Sequence, residues 1–228
     1  MDPMFMGQVM VRLLPPLGLT MILSITALAI ATPLGRALGA RRAELPDRHP
    51  AARAIDAWVF FVRGTPILIQ IFAIYFLLPK LGLQLPLFIM GVGALVLNSA
   101  GYQIEIGRSA VQSVPQGQWE AAAALGFDRR ATLRQFILPQ AARRMVGPVM
   151  NELSQLIKAS SVLSVITLFE LHKAAESISS ANLRFSEVIV VEGFLYFIFI
   201  FGVSLIASVL ERRLSAAGAL ADSGSFAR

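Results

Sequence analysis

Apolar residues are concentrated in five long runs, which are separated by shorter polar stretches. Each run is longer than roughly 20 residues, the length that an α-helix needs to cross the hydrocarbon core of a bilayer. The runs contain mostly Leu, Ile, Ala and Phe, without the alternating pattern that is typical of membrane β-barrel strands. This pattern predicts an all-α membrane protein with about five transmembrane helices. The predicted spans are residues 17–38, 57–79, 81–104, 145–168 and 188–210.

The composition agrees with this fold class and argues against several functions. Of the 228 residues, 56% are hydrophobic and 15% are charged, and the chain contains no cysteine. Soluble domains carry about 25% charged residues. A soluble enzyme, a disordered chain, a disulfide-rich domain and a cysteine-ligated zinc module are therefore all disfavoured.

The basic residues are sorted by membrane side, although the formal net charge of +6 by itself would also suit a nucleic-acid-binding protein. Of the 20 Lys and Arg residues, 15 lie at residues 36–63, at residues 108–144 or after the fifth span. Cytoplasmic loops carry such an excess. We therefore expect the N-terminus outside and the C-terminus inside. No nucleic-acid partner is expected, because the arginines are not interleaved with aromatic residues along a groove.

The two ends of the chain are expected to differ from the membrane domain at residues 17–214. Residues 1–16 do not resemble a cleaved signal peptide, because Asp2 occupies the usually basic region and Pro15-Pro16 interrupts the short apolar run. We expect them to form an outer, interfacial lead-in to the first span. Residues 215–228 are rich in Ala, Ser and Gly, which predicts a flexible cytoplasmic tail.

The loop between the third and fourth spans, at about residues 113–142, contains the most informative pattern. A short Ala-rich helix is predicted at its centre, ended by Gly126 and followed by a charged turn. Pro139 then directs the chain back toward the membrane. The residues alone leave two alternatives open: the helix docks into another protein, or it is an amphipathic connector on the inner leaflet.

The same loop resembles the EAA loop of importer-type ABC transporter permeases. It has Glu-Ala-Ala at 120–122, Gly126, and Leu-Pro at 138–139, while Phe136 stands where Ile is usual. The resemblance implies that the loop forms a coupling helix, which sits in a cleft of the ATP-hydrolysing subunit. The coupling residues implied in this way are Glu120, Ala121, Ala122, Leu125, Gly126, Phe127, Leu138 and Pro139.

Three further blocks narrow the resemblance to the permeases of the polar amino-acid uptake family, which take up histidine, arginine, glutamine, glutamate or opines. The blocks are residues 61–70, 98–108 and 138–166, and the resemblance covers about residues 15–214. It implies the type I ABC importer permease fold and a multi-pass location in the bacterial cytoplasmic (inner) membrane. The implied partners are a second permease, identical or homologous, two ATPase subunits and a periplasmic or lipid-anchored amino-acid-binding protein.

ATP chemistry is assigned to a partner, because the sequence has no phosphate-binding Gly-rich loop followed by Lys and Ser or Thr. We therefore expect a non-catalytic transport subunit without a cofactor of its own, with ATP and Mg bound by the ATPase. A different class of function stays open as an alternative. A small secondary transporter or channel would use an ion gradient through Glu105, Lys158 and Glu192.

Polar residues inside the fourth span are candidates for the substrate pathway, because an ionisable group in a bilayer needs a partner or water. Lys158 lies near the middle of this span and is followed by Ser160, Ser161 and Ser164. We expect an irregular helix here that lines a cavity. In the alternative interpretation, Lys158 forms a permanent ion pair with Glu105, Glu152 or Glu192.

Two further groups complete the candidate pathway. Pro66 interrupts the second span, so this span either begins there after an inner-leaflet helix or is kinked. Thr65 and Gln70 flank the break and are candidate contacts for a polar ligand, unless the break serves only helix packing. Asn98, Tyr102 and Glu105 share one face of the third span. They either line the substrate path or form hydrogen bonds between helices.

Overall fold

The structure, a computed structural model, describes residues 1–223 and the side-chain surroundings of residues 1–213. Every regular element within these residues is helical, which confirms the all-α prediction. The predicted tail at 215–228 lies outside the residues whose side chains are described. The helices are α1 (Pro3–Glu44), α2 (Pro50–Gly64), α3 (Ile67–Lys80), α4 (Leu87–Gln112), α5 (Gln116–Ala124), α6 (Arg129–Thr132), α7 (Leu138–Arg144), α8 (Val146–Ala159), α9 (Leu171–Asn182) and α10 (Phe185–Ser223).

Three long helices are candidate membrane spans, and two bent helix pairs raise the number to five if each pair is one span. Helices α1, α4 and α10 are each long and apolar enough to cross a membrane. The chain bends by 100° between α2 and α3. It bends by 53° between α9 and the segment Val146–Ile166, which consists of α8 and the 3₁₀ turn that follows it. By length and composition, the predicted number of about five spans is therefore confirmed when each bent pair is counted as one span.

Helix α1 is continuous through Pro15-Pro16, so the residues predicted to form the lead-in belong to the same helix as the first span. Prolines remove backbone hydrogen bonds from a helix interior. Packing outweighs that loss here, because Val9, Leu13 and Leu17 form one buried face on both sides of the prolines. This face packs against apolar residues of α9 and α10.

The break after Gly64 is a sharp elbow, which corresponds to the first of the two predicted alternatives. Helix α2 ends before Thr65, and α3 begins after Pro66. Gln70 stabilises the elbow, since its Nε2 donates to the carbonyl oxygens of Val62 (2.8 Å) and Thr65 (3.0 Å). The 14 residues of α3 extend only about 21 Å, less than the hydrocarbon thickness of roughly 30 Å.

The predicted boundaries of the third span are wrong by several residues. Helix α4 begins at Leu87 because Gly82 adopts a positive φ of 82° and Pro86 precedes the first turn. It continues to Gln112, beyond the predicted end at residue 104. The C-terminal part of α4 is more polar, so hydropathy alone ended the span too early.

The fourth span is irregular where the sequence predicted it to be. Helix α8 ends at Ala159, and a 3₁₀ segment follows over Ser160–Ile166. Thr167 then adopts a left-handed conformation with a φ of 62°, which turns the chain toward α9. Buried Glu170 caps α9 by accepting hydrogen bonds from the backbone N–H groups of His172 and Lys173.

Helices α1 and α4 are packed backbone to backbone at three glycines. A Cβ atom on Gly35, Gly39 or Gly107 would lie within 3.0 Å of backbone atoms of the other helix. Gly35 and Gly39 form the small-residue spacing that allows close approach of membrane helices. The seam joins the C-terminal halves of both helices, and the loop with α5 follows α4.

An arginine joins the end of α1 to α2. The guanidinium of buried Arg42 donates to both carboxylate oxygens of Asp56, at 2.7 and 2.9 Å, and to Asp47 at 2.8 Å. The bidentate pair fixes the direction of α2 relative to α1.

Candidate functional site

Helix α5 was predicted to be the coupling helix. One of its faces packs against the rest of the protein, and the opposite face is exposed. Ala122 is 4% exposed and half-buried Trp119 packs against the same apolar cluster as Val114. Glu120 and Ala121 are exposed, and Leu125 is 75% exposed at the tip. An apolar side chain this exposed in a polar turn suits contact with another protein.

The end of α5 confirms that Gly126 terminates the helix. Gly126 has a φ of 83°, a conformation that glycine adopts without strain. The N–H of Phe127 donates to the carbonyl of Ala122 at 3.1 Å, and the N–H of Gly126 to that of Ala123 at 3.0 Å. These bonds complete a Schellman motif, which gives Leu125 a defined position.

A small apolar platform supports the exposed face of α5. Phe127 and Phe136 contact each other edge to face, with ring centroids 5.0 Å apart. A π-helical segment (Leu133–Ile137) carries Phe136 and buries Leu133 and Ile137 in the platform core. Leu138 packs partly against this core, while Pro139 is exposed at the start of α7. Of the implied coupling residues, Ala122 and Leu138 therefore support the surface from within.

A polar groove lies between α4 and α8. Its volume is about 550 Å³. An adjoining groove of about 440 Å³ shares three of its lining residues and continues toward Arg63, Glu105 and Arg144. We call the two together the polar groove. The first part is lined by Ile67, Asn98, Tyr102, Asn151, Glu152, Gln155, Leu156, Lys158 and Ala159.

Lys158 is exposed in this groove and forms no ion pair within the described part of the chain. The three carboxylates considered as its partners are engaged elsewhere. Glu105 pairs with Arg108 at 2.6 Å, and Glu192 contacts His172 at 2.8 Å. Glu152 accepts a hydrogen bond from Ser99 at 2.8 Å. The permanent ion pair of the alternative interpretation is therefore not formed in this structure.

Asn98, Tyr102 and Glu105 do share one face, as their spacing predicted. All three are partly exposed, and Tyr102 borders both parts of the polar groove. The guanidinium of Arg63 lies 5.3 Å from the centroid of the Tyr102 ring. This cation–π contact fixes the ring at the junction of α2 and α4.

Five of the candidate pathway residues lie outside the lining of the groove: Thr65, Gln70, Ser160, Ser161 and Ser164. Gln70 is 3% exposed and its amide is used at the elbow, where Asn98 also donates to its Oε1 at 3.3 Å. The hydroxyl of Thr65 donates to the carbonyl of Phe61 at 2.7 Å. Ser160 is fully buried, and Ser164 is 9% exposed. The amide of Gln70 and the hydroxyl groups of Thr65 and Ser160 form hydrogen bonds within the protein, and the role of these residues as ligand contacts stays a prediction.

Ser161 is partly exposed, but its hydroxyl donates to the carbonyl of Lys158 at 2.7 Å and it does not line the groove. Sequence reasoning also missed residues that do line it. Asn151 and Gln155 are the missed residues, and they repeat with the predicted Lys158 at i, i+4 and i+7 on α8. Such a polar stripe in an apolar helix is a signal that would have identified them.

Comparison with known proteins gives one family and a consistent set of relatives. Residues 31–216 match the family described as binding-protein-dependent transport system inner membrane component. The L-cystine transport system permease protein TcyB of Bacillus subtilis (strain 168) is 37% identical over 198 residues, covering 86% of this chain and 85% of the relative. The octopine transport system permease protein OccM of Rhizobium radiobacter is 34% identical, covering 92% and 89%.

Solved structures give the same result. A chain of an amino acid ABC transporter crystallised with histidines matches with a TM-score of 0.85 and 30% identity, covering 93% of this chain and 99% of that one. A chain of the inward-facing MetNI methionine ABC transporter matches with a TM-score of 0.72 and 19% identity, covering 94% and 99%. Because its identity is only 19%, the second match shows a similarity of fold alone.

Proposed function

The chain belongs to the family of binding-protein-dependent transport system inner membrane components, and on this premise we propose that it is the permease subunit of an ATP-driven amino-acid importer. It forms half of the translocation pathway and couples to cytoplasmic ATPase subunits. The relatives that are named as L-cystine and octopine transport permeases support an amino-acid substrate. Its location is the bacterial cytoplasmic membrane.

The observation that carries the proposal is the exposed face of α5 on its apolar platform. Glu120 and Leu125 point away from the bundle, while Ala122 anchors the helix to it. The loop that contains α5 connects α4 to α7. A partner protein that displaces α5 therefore also displaces these two helices. The partner proposed is an ATPase subunit that receives α5, one on each of two permeases.

The polar groove supports a zwitterionic substrate. Lys158 offers to a carboxylate an ammonium group that has no ion-pair partner among the described residues, and Glu152 lines the same groove. Glu152 is 7% exposed, and among the described residues only Ser99 donates a hydrogen bond to its carboxylate. A buried carboxylate with so few donors favours an incoming cation. An amino acid presents both of the required charges, so one end would face Lys158 and the other Glu152.

Three partners complete the proposed transporter. A second permease, identical or homologous, supplies the other half of the pathway, and a periplasmic or lipid-anchored protein delivers the amino acid. The N-terminus lies outside, so that α5 and the Arg-rich loops face the ATPases in the cytoplasm. The distribution of Lys and Arg residues supports this orientation.

Reconstitution into proteoliposomes tests the proposed function directly. We expect radiolabelled amino acid to accumulate only when the ATPase, the binding protein, the second permease and ATP are all present. A chain that works as a secondary transporter would instead accumulate substrate from an imposed proton or sodium gradient without ATPase. Uptake of that second kind would refute the proposal.

Replacing Lys158 with Met is expected to raise the KM for amino-acid uptake ten- to a hundredfold. The substitution keeps the length of the side chain but removes the charge that faces the substrate carboxylate, and hydrogen bonds to charged groups contribute about 1.5–3 kcal/mol. Assembly with the ATPase and the thermal midpoint should stay unchanged, because Lys158 is exposed and forms no ion pair in the described part of the chain.

Lys80→Met is the matched control, since Lys80 is exposed at the end of α3 and lies away from the polar groove. It should leave the KM as it is. A lower thermal midpoint for Lys158→Met without a change in KM would mean that Lys158 has a structural role only.

A further inference from the structure

A second groove, which we call the basic groove, lies between the C-terminal end of α1 and the segment that follows the coupling helix. Its volume is about 790 Å³. Helix α1 contributes Arg36 and Arg41, and the facing wall contributes Arg130 of α6 and Arg134 of the π-helical segment. The floor between them is apolar and includes Leu133 and Leu138.

The arginines of the basic groove are not neutralised by the protein. None of the four lies within 4.0 Å of a carboxylate among the residues whose side chains the structure describes. Arg42, next to Arg41 in the chain, shows the contrast, because it pairs with both Asp47 and Asp56. One carboxylate, Glu44, also lines the groove, which leaves a net charge of +3. Such a site attracts an anion.

The apolar surface next to the basic groove indicates which anion. Ile30, Leu34 and Leu38 are exposed along α1 at successive turns, and Arg41 follows on the same side of the helix. This stripe belongs to the predicted first span, so lipid chains are its natural neighbours. The basic groove thus has a cationic part at the end of the bundle where most Lys and Arg residues lie, which we call the basic end. An apolar surface that faces lipid chains lies directly beside this part.

We propose that the basic groove binds an anionic phospholipid of the leaflet at the basic end of the bundle. The phosphate is held by Arg130 and Arg134 from one wall and by Arg36 and Arg41 from the other, since guanidinium groups bind phosphate oxygens in pairs. An acyl chain lies along Leu34 and Leu38. Basic pockets between membrane helices on the cytoplasmic side are suited to such headgroups.

The bound lipid would join α1 to the apolar platform that supports α5. Leu133 and Leu138 belong both to the floor of the basic groove and to the apolar cluster that supports α5. A phosphate held between the two walls therefore stabilises one distance between α1 and α6. This inference concerns a site separate from the polar groove, and it does not depend on the substrate proposed there.

Lipid retention by the purified full-length chain tests the proposal. The chain is placed in nanodiscs of phosphatidylcholine and titrated with fluorescent phosphatidylglycerol, and bound lipids are counted by native mass spectrometry. In the double variant Arg130→Gln, Arg134→Gln, affinity for phosphatidylglycerol should fall roughly twenty- to thirtyfold, because each arginine near an anionic headgroup contributes about a factor of five. Affinity for phosphatidylcholine should not change.

The control is the double variant Arg48→Gln, Arg53→Gln, which removes the same charge from exposed positions outside the basic groove. Its affinity for phosphatidylglycerol should equal that of the unchanged chain. Arg36→Gln, on the opposite wall, should weaken binding about fivefold and serves if the first double variant does not fold.

Three outcomes would overturn the proposal. Equal losses in both double variants would mean that only the overall charge matters. Displacement of the lipid by inorganic phosphate at the same concentration would identify a site for a free anion. Unchanged lipid affinity together with weaker retention of the ATPase would identify the groove as a protein-docking surface.

Discussion

Replacing Glu120 with Lys is expected to reduce ATP-dependent uptake about a hundredfold while the chain still inserts and folds. Glu120 is exposed on α5, and no hydrogen bond or ion pair of its side chain is found in the described part of the chain. Its loss therefore removes no internal contact. Reversing a charge at a docked interface costs about 3 kcal/mol, which corresponds to a factor of about a hundred in affinity. The measurements are uptake in proteoliposomes and co-purification of the ATPase.

The matched control for this charge reversal is Glu176→Lys. Glu176 is likewise an exposed glutamate on a short helix, but it lies on α9 and pairs only with its neighbour Lys173 among the described residues. ATPase retention should be unaffected there. Unchanged retention and uptake in Glu120→Lys would contradict the docking role of α5 and favour the alternative of an amphipathic connector on the membrane.

Gly126→Val tests the geometry of the same site without changing its charge. A Cβ on Gly126 would meet no atom within 4 Å, so no clash arises. The strain comes only from the φ of 83°, which a β-branched residue rarely adopts. The turn after α5 should therefore shift and weaken ATPase binding, while the thermal midpoint of the membrane domain stays close to its original value.

The second large effect is expected at the seam between α1 and α4, where Gly39→Ala should destabilise the fold. The added Cβ would lie within 3.0 Å of the carbonyl oxygen of Ile104 and the backbone nitrogen of Arg108. Backbone atoms cannot rotate away, so the two helices must separate. Overpacking of this kind costs about 1–3 kcal/mol, which lowers the thermal midpoint by roughly 2–12 °C in a chain of this size. Thermal unfolding in detergent measures the shift.

Gly93→Ala provides the control in the same helix. Gly93 also lies within α4, but a Cβ there would meet nothing within 4 Å. Because alanine favours helix more than glycine does, this variant should be as stable as the original chain or slightly more so. If Gly39→Ala proved equally stable, the close approach of α1 and α4 would be wrong.

Features that depend on local sequence were predicted well. Hydropathy over about 20 residues identified five spans, and Pro66 identified the elbow between α2 and α3. The Ala-rich stretch and Gly126 predicted α5 and its end. Each of these depends on burial in lipid or on backbone preferences of a few adjacent residues, so a single sequence contains the required information. The Gly35–Gly39 spacing was present as well but was not considered.

Features that depend on distant residues could not be obtained in this way. The sequence by itself determined that the chain crosses the membrane about five times and presents a short helix between its third and fourth spans. Tertiary structure alone decided that Gln70 caps an elbow, that Lys158 lacks a carboxylate partner in the described part of the chain, and that four arginines from two segments share one groove. The reason is physical: side-chain pairing depends on which helix faces meet, and hydropathy does not specify those faces.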